Sequence, residues 1–197
     1  MAAALQLDGI DDHILATSNV STPNGFVFSG RVRFNSFPSV NFQTHISIGG
    51  AGELVSFGIG SDGRFRFILR NSAFTVSDTC VIGQWYNFEI SQPAGSGWRI
   101  ITAKVDAVTL ASANKPAPLL GNGLMRAGVN LDGSRFVEVD IEYLEYEELT
   151  TGTDNAYWDA ALSDHSNTGL QPVLTDTIGS NNATGVDMFA DGGAWIT

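Results

Sequence analysis

The sequence predicts an all-β fold, an antiparallel β-sandwich, from three observations. Apolar and polar residues alternate at every second position over long stretches. Gly, Asn, Asp and Ser separate those stretches at the roughly 8–12-residue spacing of sandwich strands. No segment carries a helical period of useful length. With 197 residues, 43% of them hydrophobic, the chain suits one domain with a sizeable core. Residues 1–197 are therefore read as a single sandwich domain, with a core sandwich over 3–149 and an extension over 150–197 packing on it.

The elements follow in order. Ala3 to Leu7 and Ile14 to Thr17 are the first strand candidates. In "FVFSGRVRF", Phe26, Phe28, Gly30, Val32 and Phe34 share one face, while Ser29, Arg31 and Arg33 share the other. Thr44 to Ile48 is next. "LVSFGIGSDGRFRFIL" reads as a hairpin closed by Asp62-Gly63, with Phe65, Phe67 and Leu69 opposing Arg64, Arg66 and Arg70. "QWYNFEIS" and "WRIITAKV" form a further pair across the loop "QPAGSG", and Leu124 to Val129 precedes the acidic stretch "VEVDIEYLEYEEL", Val137 to Leu149. Beyond Leu149 the chain is rich in Gly, Asn, Asp and Thr, with anchors at Trp158, Leu162, Leu174, Ile178 and Trp195. That segment is expected to wrap the sandwich and add one or two edge strands.

Acidic residues outnumber Lys plus Arg by 21 to 10, a formal charge of −11, which disfavours nucleic acid and anionic membranes as partners. It suits calcium, cationic partners or neutral glycans. Cys80 is the only cysteine, so no intrachain disulfide or cysteine-based zinc cluster is expected. The opening "MAAALQLDGIDD" shows no basic n-region or long apolar run, so no signal peptide is expected, and no segment reaches the roughly 20 apolar residues of a membrane helix.

Several stretches resemble one family. "LQLDGIDDHIL" is similar to the opening hairpin of laminin-G-like domains of the concanavalin A-like lectin/glucanase fold. "FVFSGRVRF", "GQWYNFEIS" and "GWRIITAKVDAVTLAS" resemble later strands of those domains, with Ala107 where a Val-Asp-Gly turn has glycine. The likeness covers about residues 3–149. It implies a concanavalin A-like jelly roll with a long C-terminal wrapping segment. The tail segments "LTDTIGSNNATG" and "GGAWI" resemble segments of such domains and, loosely, tails of bacteriophage virion proteins.

Glu138-Val139-Asp140-Ile141-Glu142 also fits the Glu-Ile-Asp-Ile-Glu signature of lichenase and laminarinase glycoside hydrolases. That resemblance implies Glu138 as nucleophile, Asp140 as its modulator and Glu142 as acid/base. Retaining glycosidases hold two carboxyl groups roughly 5–5.5 Å apart, and alternate strand residues do share a face. Against catalysis stand the motif's place near the end of the strands and the lack of a preceding Trp-rich strand. A plainer reading covers the whole stretch. Val137, Val139 and Ile141 face the core, and a bulge near Glu142–Tyr143 turns Leu144 and Tyr146 inward too. Glu138, Asp140, Glu145 and Glu147 then face water. Catalysis is not expected.

Asp8, Asp11 and Asp12 could bind calcium, but Asp beside Gly more commonly organises a turn, and the same holds for Asp154, Asp159, Asp164 and Asp176. His13, His45 and His165 lack metal-ligand spacing and are expected as solvated or core residues. Cys80 is expected as a small core hydrophobe. Trp85 and Trp98 sit on strands, with Trp85 assigned to the core. Tyr157, Trp158 and Trp195 are the glycan-stacking candidates, although they also suit anchoring of the tail. Arg31, Arg33, Arg64, Arg66 and Arg70 form a basic stripe if their strands are neighbours, fit for an acidic partner or for the acids of 137–149.

Three functions are expected in order. The first is a non-enzymatic bacteriophage virion surface or decoration protein, made in host cytoplasm and assembled with other virion proteins or copies of itself. The second is a carbohydrate-binding module or lectin. The third is an endo-β-glucanase using Glu138, Asp140 and Glu142. No cofactor is expected, with calcium kept open.

Overall fold

The computed structural model describes residues 4–9, 12–17, 20–21, 25–39, 45–50, 53–70, 72–117, 122–129, 137–150, 155–161, 163, 173–186 and 195–196. Among them lie strands β1 (Ala4–Asp8), β2 (His13–Ala16), β3 (Val20–Ser21), β4 (Phe26–Phe34), β5 (Ile46–Gly50) and β6 (Glu53–Ile59). Next come β7 (Arg64–Leu69), β8 (Ser72–Thr79), β9 (Trp85–Gln92), β10 (Gly97–Val105), β11 (Val108–Ala117), β12 (Asn122–Ala127) and β13 (Glu138–Glu148). The chain closes with β14 (Ala156–Asp159), β15 (Val173–Asp176), β16 (Ala183–Val186) and β17 (Trp195–Ile196). All pairings among these described strands are antiparallel.

The fold is the antiparallel sandwich that the alternation predicts, in the jelly-roll form that the resemblance implies. One sheet runs β11–β10–β9–β4–β13; β1 lies against the first half of β13, β14 against its second half, and β17 on β1. The other runs β8–β7–β6–β5–β12, with β2 and β3 on the far side of β12. Between them, Phe57 packs against Phe88 at 4.8 Å and Phe34 at 5.8 Å between ring centroids, with Phe67 of its own sheet 5.3 Å away. Each buried Phe of this kind stabilises by about 1.5–3 kcal/mol, so this aromatic contact is what holds sheet to sheet.

Two local features shape the first sheet. Ile141 faces Val32 and Tyr143 faces Arg31, leaving Glu142 as the extra residue of a β-bulge. The bulge resets parity, so that Val139, Ile141, Leu144 and Tyr146 all reach the core, as the sequence predicts. Beside it, Gly30 lets the strands close up: a Cβ there would meet Leu144 Cδ2 and Phe88 Cε1 at 2.7 Å.

The C-terminal segment departs from expectation. It supplies four described strands, not one or two, and they are not all edges. β14 pairs with β13, β15 with β14, and β16 with both β15 and β2, so this run stitches one sheet to the other. The fully buried Trp158 is the anchor, its Nε1 donating to the carbonyl of Asn181. Asp176 Oδ1 accepts from the backbone N–H groups of Tyr157, Ile178 and Gly179, and Oδ2 from that of Asn181. One carboxylate thus organises the whole turn, which a count of Gly and Asn does not reveal. No described helix is long and apolar enough to cross a membrane.

Candidate functional site

The outer face of the first sheet carries the chain's polar chemistry, and the strand register assembles it. Across β9, β4 and β13 run the rows Trp85–Arg33–Asp140 and Asn87–Arg31–Tyr143, then Glu89–Ser29–Glu145. Arg33 Nη2 lies 2.5 Å from Asp140 Oδ2, and its Nε donates to the same oxygen at 2.6 Å. Arg31 Nη1 lies 2.7 Å from Glu142 Oε2. Both guanidinium groups sit over the Trp85 ring, at 5.4 and 5.0 Å from its centroid for Arg31 and Arg33. Trp85 is therefore a lid on the arginines and not the core residue expected, because its alternation with buried Tyr86, Phe88 and Ile90 places it on the outer face.

This lattice corrects two expectations about charge. Asp140 points to the outer face, but it does not meet water: its side chain is 0% exposed beneath Arg33. The basic stripe also divides, because β4 and β7 belong to opposite sheets. Arg31 and Arg33 take up the acids of 137–149, the second of the two roles foreseen for them. Arg66 keeps its outer-face parity opposite Gly58 but is buried there, donating to Asp62 Oδ1 at 2.6 Å. Arg70 is likewise buried, at φ 49°.

As for the hydrolase motif, Asp140 is sealed and Glu142 is committed to Arg31, so neither is presented to a sugar. Glu138 is half-buried at the end of the strand, opposite Asp8. Ion pairs take the place of the open carboxyl pair that retaining chemistry uses.

Next to the lattice lies a shallow depression of about 260 Å³, bounded by Ser29, Asn87, Glu89, Lys104, Ala107 and Tyr143. Lys104 Nζ donates to Glu89 Oε1 at 2.8 Å, and Ser91 Oγ donates to the same oxygen at 2.9 Å. Partial burial opposes ionisation of Glu89, but the bonds from Lys104 and Ser91 outweigh it and hold the carboxyl below its usual range. Tyr143 stacks on Tyr157 with ring centroids 5.5 Å apart. Burial, reinforced by neighbouring carboxylates, raises both phenols above their usual range, so both keep their O–H as donors at neutral pH. The rim includes Ala107, held with Asp106 at positive φ in the tight β10–β11 turn.

Of the glycan-stacking candidates, Tyr157 joins this site through Tyr143. Trp158 does not, because it is fully buried and closed to any ligand. Trp195 pairs through its backbone with Leu5 on β17, away from the depression's strands, and its side chain lies outside the described residues. Asn87, Glu89, Lys104 and Tyr143 were missed by sequence reasoning. Their only signal was the polar half of each strand's alternation, and nothing in the sequence aligns those halves across four strands.

The remaining candidates have structural roles. Asp12 Oδ2 accepts from the Asp8 N–H at 3.1 Å across a turn in which Gly9 has φ 77°, and Asp159 Oδ1 caps the Ala161 N–H at 2.7 Å. Asp11, Asp154, Asp164 and His165 lie outside the described residues. Among the described residues no group of three or more His, Cys, Asp or Glu is placed to hold a metal ion. Cys80 is buried in the core, and burial pushes its thiol up to about 12. His45 is buried against Phe34, and desolvation drives its imidazole down to about 3 against an opposing contribution from the Ile59 backbone. His13 is half-buried on β2.

The site is thus a polar and aromatic depression on the outer face of one sheet of a jelly-roll sandwich. No protein-family model matches the chain, and no curated protein matches it in sequence. Solved structures do match. A protein from Bacteroides ovatus to which carbohydrate binding is ascribed aligns over 100% of this chain and 60% of its own length, with TM-score 0.66 and 12% identity. The heptameric SAP-like pentraxin of Limulus polyphemus aligns over 77% of this chain and 79% of its own, with TM-score 0.56 and 13% identity. The CBM40 domain of the Ruminococcus gnavus IT-sialidase, solved with α2,3-sialyllactose, aligns over 72% and 90%, with TM-score 0.50 and 12% identity. At such identities the likeness establishes the fold alone.

Proposed function

We propose that the chain is a non-enzymatic carbohydrate-binding domain that takes a glycan on the outer face of its first sheet. The depression beside Tyr143 carries this reading. It offers an aromatic pair for the apolar face of a sugar, and amide, carboxylate and ammonium groups for its hydroxyls, already held in place by one another. The sialyllactose-bound CBM40 domain, and the carbohydrate binding ascribed to the Bacteroides protein, support the reading by analogy of fold. The pairing of Asp140 and Glu142 with arginines weighs against a glucanase.

A glycan array run in calcium and in chelator tests the proposal and the calcium expectation together. One glycan class is expected to bind, and Asn87→Ala and Tyr143→Ala are expected to abolish that signal while leaving the melting curve close to wild type. An array blank under both conditions overturns the reading. The virion setting expected from the sequence would give such a domain the task of touching host glycans; absence of the chain from purified particles counts against that setting alone.

A further inference from the structure

We propose that the outer face of β10 extends the depression into an elongated subsite for a linear neutral oligosaccharide, with Trp98 as its far stacking platform. This rests on the carbohydrate-binding reading and adds the shape and charge of the ligand. Residues at even positions of β10 share the outer face: Lys104 lines the depression, Thr102 comes next, then Ile100 and Trp98. Ile101, Ala103 and Val105, at the odd positions, are buried in the core. Trp98 is 64% exposed and Ile100 58%, adjacent on one face. Single exposed apolar side chains are ordinary, but two neighbours that include an indole need a reason.

Their surroundings are hydroxyl and amide groups. Across the β10–β11 register, Trp98 faces Pro116, Ile100 faces Asn114 and Thr102 faces Ser112. On the other side, Ser91 Oγ lies 3.2 Å from Thr102 Oγ1 and donates to Glu89, which also holds Lys104. Hydrogen-bonding groups therefore run without a break from the depression to the foot of the apolar platform. A pyranose chain presents the matching pattern, with C–H faces to stack on rings and hydroxyl edges to bond. From Lys104 to Trp98 the strand advances about 20 Å at roughly 3.3 Å per residue, longer than any monosaccharide. Lys104 and Glu89 neutralise each other beside this track, and the chain as a whole carries −11, which disfavours a polyanionic ligand.

Calorimetric titration of the whole chain with a disaccharide and a hexasaccharide from cellulose, laminarin and mannan tests the inference. For one of the three series the hexasaccharide is expected to bind at least tenfold more tightly than the disaccharide. Trp98→Ala is expected to remove that length advantage, whereas Tyr143→Ala abolishes binding at both lengths. Equal affinity for both lengths, or a length advantage that survives Trp98→Ala, overturns the extended subsite and leaves the depression intact. Failure of both lengths in all three series overturns the neutral-glycan inference, and a sialyllactose titration then separates the two failures: binding keeps the carbohydrate reading, while silence removes it too. A concentration-dependent dimer lost in Trp98→Ala would assign the platform to a second copy and also overturn the inference.

Discussion

Replacing Arg33 with Met tests the account of the acidic strand most directly. Asp140 is 0% exposed and its Oδ2 takes both contacts from Arg33, at 2.5 and 2.6 Å, while among the described residues Oδ1 has no hydrogen-bond partner. Removing the guanidinium leaves a carboxylate buried with no charge against it. Breaking a buried pair in this way costs about 3–5 kcal/mol. The Arg33 side chain is 30% exposed, so solvent screens part of the interaction and the lower end, about 3 kcal/mol, is expected. The lost contact with Trp85 adds no more than about 1 kcal/mol, since Arg31 still covers the same ring. For a chain of this size that is a fall in Tm of roughly 6–12 °C. Asp140→Leu combined with Arg33→Met replaces the pair by apolar volume and should recover about 2 kcal/mol of the summed single costs. Urea denaturation of the four proteins in this cycle, with slopes held constant, gives the coupling. A cost below about 1 kcal/mol for Arg33→Met, or strict additivity, would show that Asp140 meets water and that the sealed-carboxylate argument is wrong.

Three further outcomes follow from the same coordinates. His45 is neutral in the fold down to about 3, whereas in the unfolded chain it takes up a proton near 6.5, so its contribution is complete above that value and is lost as pH falls from there toward 3. That loss is on the order of 4 kcal/mol, and the drop in urea midpoint from pH 7 to pH 4 should be smaller in His45→Leu than in wild type. Ala107 holds φ 68° where glycine is at ease, so Ala107→Gly should stabilise by about 0.5–1 kcal/mol after the entropy of the unfolded glycine is subtracted, read as a higher Tm. Trp158→Ala should cost about 3–5 kcal/mol and expose the C-terminal strands to limited proteolysis ahead of the core, since that indole anchors the stitch between sheets.

Much of the fold was legible because strand parity is a property of the chain alone. Phe26, Phe28, Val32 and Phe34 had to share a face, Asp62-Gly63 had to turn, and the two apolar runs around Glu142 could both reach the core only through a bulge. Harder to read was the C-terminal segment, whose short strands carry little alternation and whose order depends on one aspartate accepting from four backbone groups.

Alternation along the sequence thus determined which side chains are greasy and which are wet in principle, because the pleat has a period of two. Only the tertiary structure decided which wet ones stay dry. Asp140 and Trp85 belong to the polar face by parity, yet one is sealed and the other covers it by way of Arg33, since β4 brings its arginines between β9 and β13. The depression was decided in the same way. Apart from Ala107 in the β10–β11 turn, its residues come from β4, β9, β10 and β13, and register between distant strands is set by packing across the sandwich and not by any local run of residues.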